Sequence, residues 1–445
     1  MTDTADRTAS STSSTSSTDG YLDELGAFLT SEWDPDLTVA AWWEKLGTAG
    51  WSAPAWPEEH YGRGLSPADA GRVARAIAEH GALGAPGGLG LLLAGPTIVA
   101  HGSDEQKKVW LRDIVTGQQG WCQLFSEPGA GSDLAGLNSR AVRDGEEWIV
   151  NGQKVWTSAG HISDMGMLIA RTDPDAPKHR GITYFGIDMH QPGIEVRPLK
   201  EMTGRALFNE VFLTDARTPA DSVIGDYGQG WIVANTTLAF ERAGLGAGSG
   251  HAAASAATPG TISGDLDRRA ADFVGTRRAG GGGPSALAGA YALILETARA
   301  TGQLDDPILR QDLMRLYTAN ELARVGGQRL KAEKAAGRDI AGFGNLAKLS
   351  MSTILRLSRE LGLATLGAAG MLHAYANDDR KVIEALPTPD LGPTITELAL
   401  FSPGPPIYGG TDQIQRNIIG ERVLGLPKEP GPAKDTPYAE LPKNG

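Results

Sequence analysis

The order of sequence textures predicts an α+β chain: helices first, then a domain of strands, then helices again. Residues 21 to 118 have helical texture, with an Ala-rich run from Pro67 to His80 and a second run around Glu105 to Ile114. Residues 119 to 225 carry short β-rich runs separated by turn residues. From Gly230 onward helical spacing returns, and Leu309, Leu313 and Leu316 fall on one helix face. Strands and helices do not alternate, which argues against a doubly wound parallel sheet. A chain of 445 residues exceeds what one hydrophobic core usually covers, so two or three packed units are expected.

Residues 8 to 18 are almost entirely Ser and Thr, and residues 1 to 20 read as a disordered tail. They lack the apolar core of a secretory signal, so a cytoplasmic location is expected. The N-terminal helical domain is placed at 21 to 118. Within it, Gly81 to Gly102 holds no Asp, Glu, Lys or Arg, but its many glycines, Pro86 and Pro96 make it too irregular for a membrane span. It reads as buried interior, and no transmembrane helix is expected.

In the β-domain at 119 to 225, Asp144-Gly145 and Asn151-Gly152 flank Trp148-Ile149-Val150 and predict a turn on each side. Further strands are expected at Met167–Ala170, Ile182–Ile187 and Val211–Thr214. The C-terminal helical domain is placed at 226 to 427, with a mostly apolar helix over Ala347 to Met371. A Gly-rich insertion at about 244 to 284, containing Gly280-Gly281-Gly282-Gly283, reads as a flexible loop. Residues 428 to 445, with Pro430, Pro432, Pro437 and Pro442, read as a loose tail.

Lys plus Arg number 41 against 53 Asp plus Glu, a net charge of −12, which argues against a nucleic-acid or anionic-membrane binder. One cysteine, Cys122, excludes a disulfide framework and a Cys-rich metal site. The eight histidines show no ligand-like pairing, so no metal is expected. Gly248-Ser-Gly250-His-Ala-Ala253 fits G-x-G-x-x-G/A, but it follows a helical segment with no βαβ unit around it and reads as a flexible loop.

Two blocks can carry chemistry. In Gln123-Leu-Phe-Ser-Glu-Pro-Gly-Ala-Gly-Ser-Asp133 a strand runs into a turn whose small residues let backbone N–H groups approach a ligand. A tight structural turn fits that pattern equally well. In Lys154-Val-Trp-Thr-Ser158 a Trp beside hydroxyls can flank a flat aromatic cofactor, although a buried core Trp is the commoner case.

The run SEPGAGSD at 126–133, followed by WIVNGQKVWTSAG at 148–160, resembles the acyl-CoA dehydrogenase family. IYGGTDQIQRNIIGERVLGLP at 407–427 is similar to that family's C-terminal signature, and the resemblance spans roughly residues 25 to 427. It implies FAD, an acyl-CoA thioester substrate, an electron-transfer flavoprotein as acceptor and assembly as dimers or tetramers. The implied fold is an N-terminal helical domain, a middle β-barrel-like domain and a C-terminal helical bundle. Carried over by position, Leu124, Phe125 and Ser126 contact the flavin ring, and Ser132 holds its phosphates or the thioester portion of the substrate. Trp156 stacks on the isoalloxazine and Ser158 hydrogen-bonds it. Thr411 and Gln413 lie near the diphosphate and adenosine half, while Arg242 and Tyr408 fall on the substrate side.

The implied reaction needs a carboxylate to remove an α-proton while the β-hydride leaves for the flavin, with donors holding the developing enolate oxygen. The family most often places this glutamate directly after the signature tyrosine, where this chain has Gly409. Other members supply it from a C-terminal-domain helix, and that site here reads Leu238-Ala-Phe-Glu241-Arg242. Glu241 is therefore the expected base, although a Glu-Arg pair on a helix is usually solvated. Glu127 is the runner-up and more plausibly fixes its loop; Asp412 falls nearer the flavin than the base position.

The family's adenine half rests on a neighbouring subunit, and the corresponding motifs are eroded here to Arg299-Ala-Thr-Gly302 and Ala364-Thr-Leu-Gly-Ala-Ala-Gly370. Gln311 is the retained candidate on that surface. The erosion resembles one half of a heteromeric pair, and a diverged homo-oligomer is the alternative. The expected function is formation of a trans-2,3-enoyl-CoA. Gly81–Gly102 is a candidate part of the acyl pocket, and the 244–284 insertion could open it to a bulky acyl group. A non-catalytic partner subunit and a flavin-dependent oxygenase on the same fold are the rival readings.

Overall fold

The computed structural model describes residues 20–247, 256–275, 284–385 and 392–442. The Ser/Thr-rich start, the Gly248–Ala253 pattern and the run Gly280–Gly283 lie outside them.

The chain folds as an N-terminal helical domain, a middle curled sheet and a C-terminal helical domain. The first part holds α1 (Gly20–Glu32), α2 (Val39–Thr48), α3 (Pro67–His80), α4 (Gly95–His101), α5 (Asp104–Gln106) and α6 (Arg112–Val115). Ser66 caps α3 by accepting from the Asp69 N–H, Pro67 opens its first turn, and Gly81 closes it at φ +80°. Trp42 and Trp43 are fully buried, and their ring N–H groups donate to the carbonyls of Leu83 (2.7 Å) and Gly84 (2.9 Å). Two indoles thus enter the core with no donor left unpaired. A π-turn, Gly90–Ala94, leads straight into α4.

The middle sheet contains β1 (Trp121–Leu124), β2 (Arg140–Asp144), β3 (Glu147–Ser158), β4 (Met165–Arg171), β5 (Ile182–Asp188), β6 (Ile194–Leu199) and β7 (Phe208–Pro219). Its order is β1-β4-β2-β3-β7-β6, with β5 on the other side of β4. Leu168 and Ala170 of β4 pack inside the curl with Cys122, Leu124 and Phe185. Met167 and Ile169 face the other way, into a cluster shared with Leu93, Ile98, Val233 and Ala234. Both faces of β4 are covered, which is why its sequence is an unbroken apolar run.

The Asp144-Gly145 turn forms as expected, with Gly145 at φ +61° between the paired β2 and β3. Asn151-Gly152 does not turn. β3 continues through it, with a register shift against β7 between Val150 and Gly152. A Cβ at Gly152 would lie 2.1 Å from Ser139 Oγ, so the glycine serves close approach rather than reversal. The edge strand β6 was not expected from the sequence.

The third part holds α7 (Gly230–Ala247), α8 (Pro284–Ala300), α9 (Pro307–Ala335), α10 (Phe343–Leu366), α11 (Asn377–Glu384), α12 (Gly392–Phe401) and α13 (Asp412–Ile418). Leu309, Leu313 and Leu316 are the buried face of α9, as their spacing predicts. The helix expected over Ala347–Met371 ends at Leu366, followed by a 3-10 turn over Gly367–Met371, and it buries one face rather than all sides.

Two expected loose segments are docked. Residues 256–275 of the insertion lie on the N-terminal helices. The Val39 and Ala40 N–H groups donate to the carbonyls of Arg268 (2.8 Å) and Leu266 (2.9 Å), and Ala257, Ala270 and Phe273 enter the Trp42–Trp43 core. The Pro-rich tail is likewise not loose throughout, because Tyr438 is buried against the middle domain. No helix of the described residues is long and apolar enough to cross a membrane.

Candidate active site

β1 sorts its side chains in alternation: Trp121 enters one core, Cys122 and Leu124 the other. Gln123 instead reaches α7, where its Nε2 lies 3.5 Å from Glu241 Oε2. Helix α7 is anchored one turn earlier by buried Thr237, whose hydroxyl meets Thr97 Oγ1 at 3.0 Å and the Tyr184 hydroxyl at 3.2 Å. Four residues on, Glu241 lies on the same face and is half-buried. Burial pushes its carboxyl above the usual range, against opposing pulls from Gln123 and Arg242. Arg242 is exposed. Partial desolvation of its guanidinium still lowers its pKa, Glu241 opposes this, and nearby Arg422 adds to the lowering.

The turn after β1 is closed by reciprocal backbone bonds between Glu127 and Ala130. Glu127 is not free to act as a base. Its carboxylate accepts from the N–H groups of Asn138 (2.6 Å) and Ser139 (2.9 Å) and pairs with the fully buried Lys154 at 2.8 Å. Burial alone would raise its pKa, but Lys154 and these donors outweigh it and hold the carboxyl low. Lys154 also donates to the Phe125 carbonyl at 3.1 Å, tying the turn to β3. Ser132 is exposed at the loop tip, beside Asp133, which pairs with Lys178 at 2.6 Å.

The expected ring contacts divide. Leu124 has no exposed surface and Phe125 only 3%, with its ring edge-on to Tyr184, so neither presents a side chain to a ligand. Ser126 remains half-buried, and its carbonyl accepts from the Val155 N–H at 2.9 Å, beside Trp156. Trp156 is not a core residue. It is 61% exposed, sits in left-handed backbone at φ +61°, and touches Phe208 edge-on at 5.9 Å. A left-handed non-glycine costs about 1–3 kcal/mol and persists where the surroundings impose it. Here an irregularity between Lys154 and Thr157 turns the indole outward, with half-buried Ser158 two residues on. An exposed indole beside two serines fits a flat heteroaromatic ring.

Thr411 caps α13 by accepting from the Ile414 N–H, and Gln413 is exposed in its first turn. Gln311 lies on the exposed face of α9. These three stand on helices of the third domain, not on the sheet. Asp412 is occupied by Ser352 (2.7 Å) and Lys348 (3.4 Å). Tyr408 is half-buried, with its phenol pushed up to about 12 by burial. Gly409 and Gly410 follow at φ +62° and +82°, a backbone that suits glycine and disfavours the family's glutamate. The residues that sequence reasoning missed are Gln123 and the buried Gln415. Gln415 donates to the Gly409 carbonyl (2.9 Å) and receives Asn345 (2.6 Å). Each had one signal, a polar residue in an otherwise apolar or signature segment.

Three family descriptions match the chain in order: "Acyl-CoA dehydrogenase, N-terminal domain" at residues 20–118, "middle domain" at 122–216 and "C-terminal domain" at 277–424. A curated relative, "Acyl-CoA dehydrogenase IpdE1" of Mycobacterium tuberculosis (strain ATCC 25618 / H37Rv), is 36% identical over 389 residues, covering 87% of this chain and 88% of that protein. The chain belongs to the acyl-CoA dehydrogenase family. Among solved structures, the ChsE4-ChsE5 complex from Mycobacterium tuberculosis matches this acyl-CoA dehydrogenase at TM-score 0.65 and 26% identity, covering 94% of this chain and 100% of the other. The Tcur3481-Tcur3483 steroid ACAD matches in fold at TM-score 0.66 and 24% identity, covering 92% and 97%.

Proposed function

We propose that this oxidoreductase forms a trans-2,3-enoyl-CoA from an acyl-CoA, with Glu241 as the base. The observation that carries the reading is Glu241 itself: half-buried, one helical turn past a hydrogen-bonded hydroxyl cluster, with its pKa raised, while the usual base position is a glycine in left-handed backbone. Partly buried Leu91, Leu92, Leu238 and Phe240 pack around the adjoining cluster and suit an acyl chain. Glu241 takes the α-proton, and Gln123 orients its carboxylate. Bound FAD supplies the acceptor for the β-hydride. Trp156, Ser126 and Ser158 hold its ring, and Ser132, Thr411, Gln413 and Gln311 suit its phosphates and adenosine half or that of a neighbouring copy. Arg242 suits the CoA end, and Tyr408 flanks the substrate.

We further propose assembly with a second acyl-CoA dehydrogenase-like chain, identical or not, and electron delivery to an electron-transfer flavoprotein. The eroded 299–302 and 364–370 motifs favour a non-identical partner, as in the ChsE4-ChsE5 complex. Met314, Tyr317, Leu322 and Val325 leave apolar surface on α9 for such a contact.

The visible spectrum of the purified chain tests the reading. Flavin bands near one equivalent, bleached anaerobically by an acyl-CoA, are the expected result. A colourless chain that gains such bands only with a co-expressed partner supports the heteromer. Bands that no acyl-CoA in a chain-length series bleaches, with or without that partner, overturn the dehydrogenase reading.

The pH profile follows from the geometry. The base works ionised, so kcat/KM rises with pH through its pKa, and burial places that limb above the ordinary carboxylate range. Gln123 favours the charged form, so Gln123→Leu moves the limb upward. An unmoved limb in a folded variant removes Gln123 from the base's surroundings.

A further inference from the structure

Past the C-terminal signature, residues 422–435 run exposed, and then the chain docks. The Tyr438 N–H donates to the Ala176 carbonyl at 3.0 Å and the Ala439 N–H to the Pro174 carbonyl at 2.9 Å. Tyr438 is 6% exposed; its hydroxyl lies 2.7 Å from Asn138 Oδ1 and 3.1 Å from the Gly136 carbonyl. The Arg171 guanidinium sits 3.4 Å from the centre of its ring.

Arg171 is itself 4% exposed and is held by the carbonyls of Ala135 (2.7 Å), Lys178 (3.1 Å) and Leu137 (3.4 Å). A desolvated cation gains most from an aromatic face. Tyr438 thus closes one side of a box around residues 135–139. The other side is closed by Glu127, which takes the Asn138 and Ser139 N–H groups and passes the linkage through Lys154 to the Phe125 carbonyl. Between these anchors lies the exposed turn carrying Ser132.

We propose that the C-terminal tail is a strap and Tyr438 a positioning residue, holding residues 135–139, and through them the 127–133 turn, in the shape that receives flavin and acyl-CoA. The proposal rests on the flavin reading of that turn. Tyr438 touches no reacting atom and acts through Asn138, Gly136 and Arg171.

The test compares Tyr438→Phe and Tyr438→Ala in the full chain, with its co-expressed partner if one is needed for flavin. Tyr438→Phe keeps the ring over Arg171 and loses the hydroxyl. It should speed amide hydrogen exchange at residues 135–139 about fivefold, and Tyr438→Ala about tenfold or more, with the β7 amides unchanged. FAD dissociation and the acyl-CoA KM should rise by similar factors, while kcat at saturation stays within about twofold. Wild-type exchange rates at 135–139 in Tyr438→Ala overturn the strap. Faster exchange with unchanged flavin affinity and KM overturns the positioning role. If Tyr438→Ala does not fold, Tyr438→Phe decides. A wild-type chain that takes up no flavin in any assembly overturns the parent reading, while the exchange arm still decides the strap.

Discussion

Glu241→Gln should lower kcat for acyl-CoA oxidation about 10²- to 10⁴-fold while leaving flavin uptake intact. The range is what a positioned base contributes to a proton transfer. Glutamine keeps the volume and the contact with Gln123, so the helix and its hydroxyl cluster should be undisturbed. Activity loss with an unchanged flavin spectrum separates a missing base from a damaged site. A variant that turns over at the wild-type rate would place the base elsewhere and favour a non-catalytic role for this chain in its assembly. Glu127 is a poor substitute, since its carboxylate is already committed to Lys154 and two backbone donors.

Lys154→Met should be the most damaging substitution for stability, by about 3–5 kcal/mol, because it leaves Glu127 buried without its cation. The pH dependence has a definite sign. In the wild type Glu127 has a lowered pKa, so its contribution is present above the ordinary carboxylate pKa and lost as pH falls through the lower folded value. Without Lys154, burial dominates and raises the folded pKa, so the penalty is greatest at neutral pH and shrinks towards acid. Thermal scans of the variant and wild type at several pH values measure this. A loss under about 1 kcal/mol, or one that grows on acidification, would contradict the buried-pair account. The double change Glu127→Gln with Lys154→Met should recover part of the loss, because the glutamine oxygen can still accept from the loop.

Elements with local punctuation were legible in the sequence. Ser66-Pro67 and Gly81 mark both ends of α3, and the Asp144-Gly145 turn needs nothing beyond its neighbours. Asn151-Gly152 carries the same local signal, but Ser139 approaches from another segment, and that contact overrides the turn. Proline content made the tail read as loose, yet Tyr438 stacks on Arg171 and the backbone at 438 and 439 bonds to the carbonyls of Ala176 and Pro174. Likewise the insertion's glycine content concealed Ala257, Ala270 and Phe273, whose burial depends on a surface more than 200 residues earlier. In the site, Glu241 was singled out through family resemblance, since Glu-Arg on a helix has no chemical signature of its own. Gln123 could not be found that way, because its partner lies 118 residues on and nothing local links them. Leu124 and Phe125 look like ligand residues in a motif, and the fold buries their side chains, so any contact they make with a ligand runs through their backbone.

The docking of residues 256–275 on the first helices bears on how the chain is made. The core around Trp42 and Trp43 is closed by Ala270 and Phe273, and neither the Thr38–Arg269 bridge nor the Val39 N–H bond to the Arg268 carbonyl can form until those residues exist. A ribosome emitting the chain in order must synthesise the whole middle sheet before that core can be sealed. Until then the tryptophan-rich face is open to chaperones or to self-association. Such long-range closure also makes folding slow relative to a helical domain completed from its own neighbours. The first domain and residues 256–275 of the third are therefore in direct contact although the whole middle sheet separates them in the chain. The nascent N-terminal unit is left unfinished, and a later stretch of the same polypeptide returns to complete it.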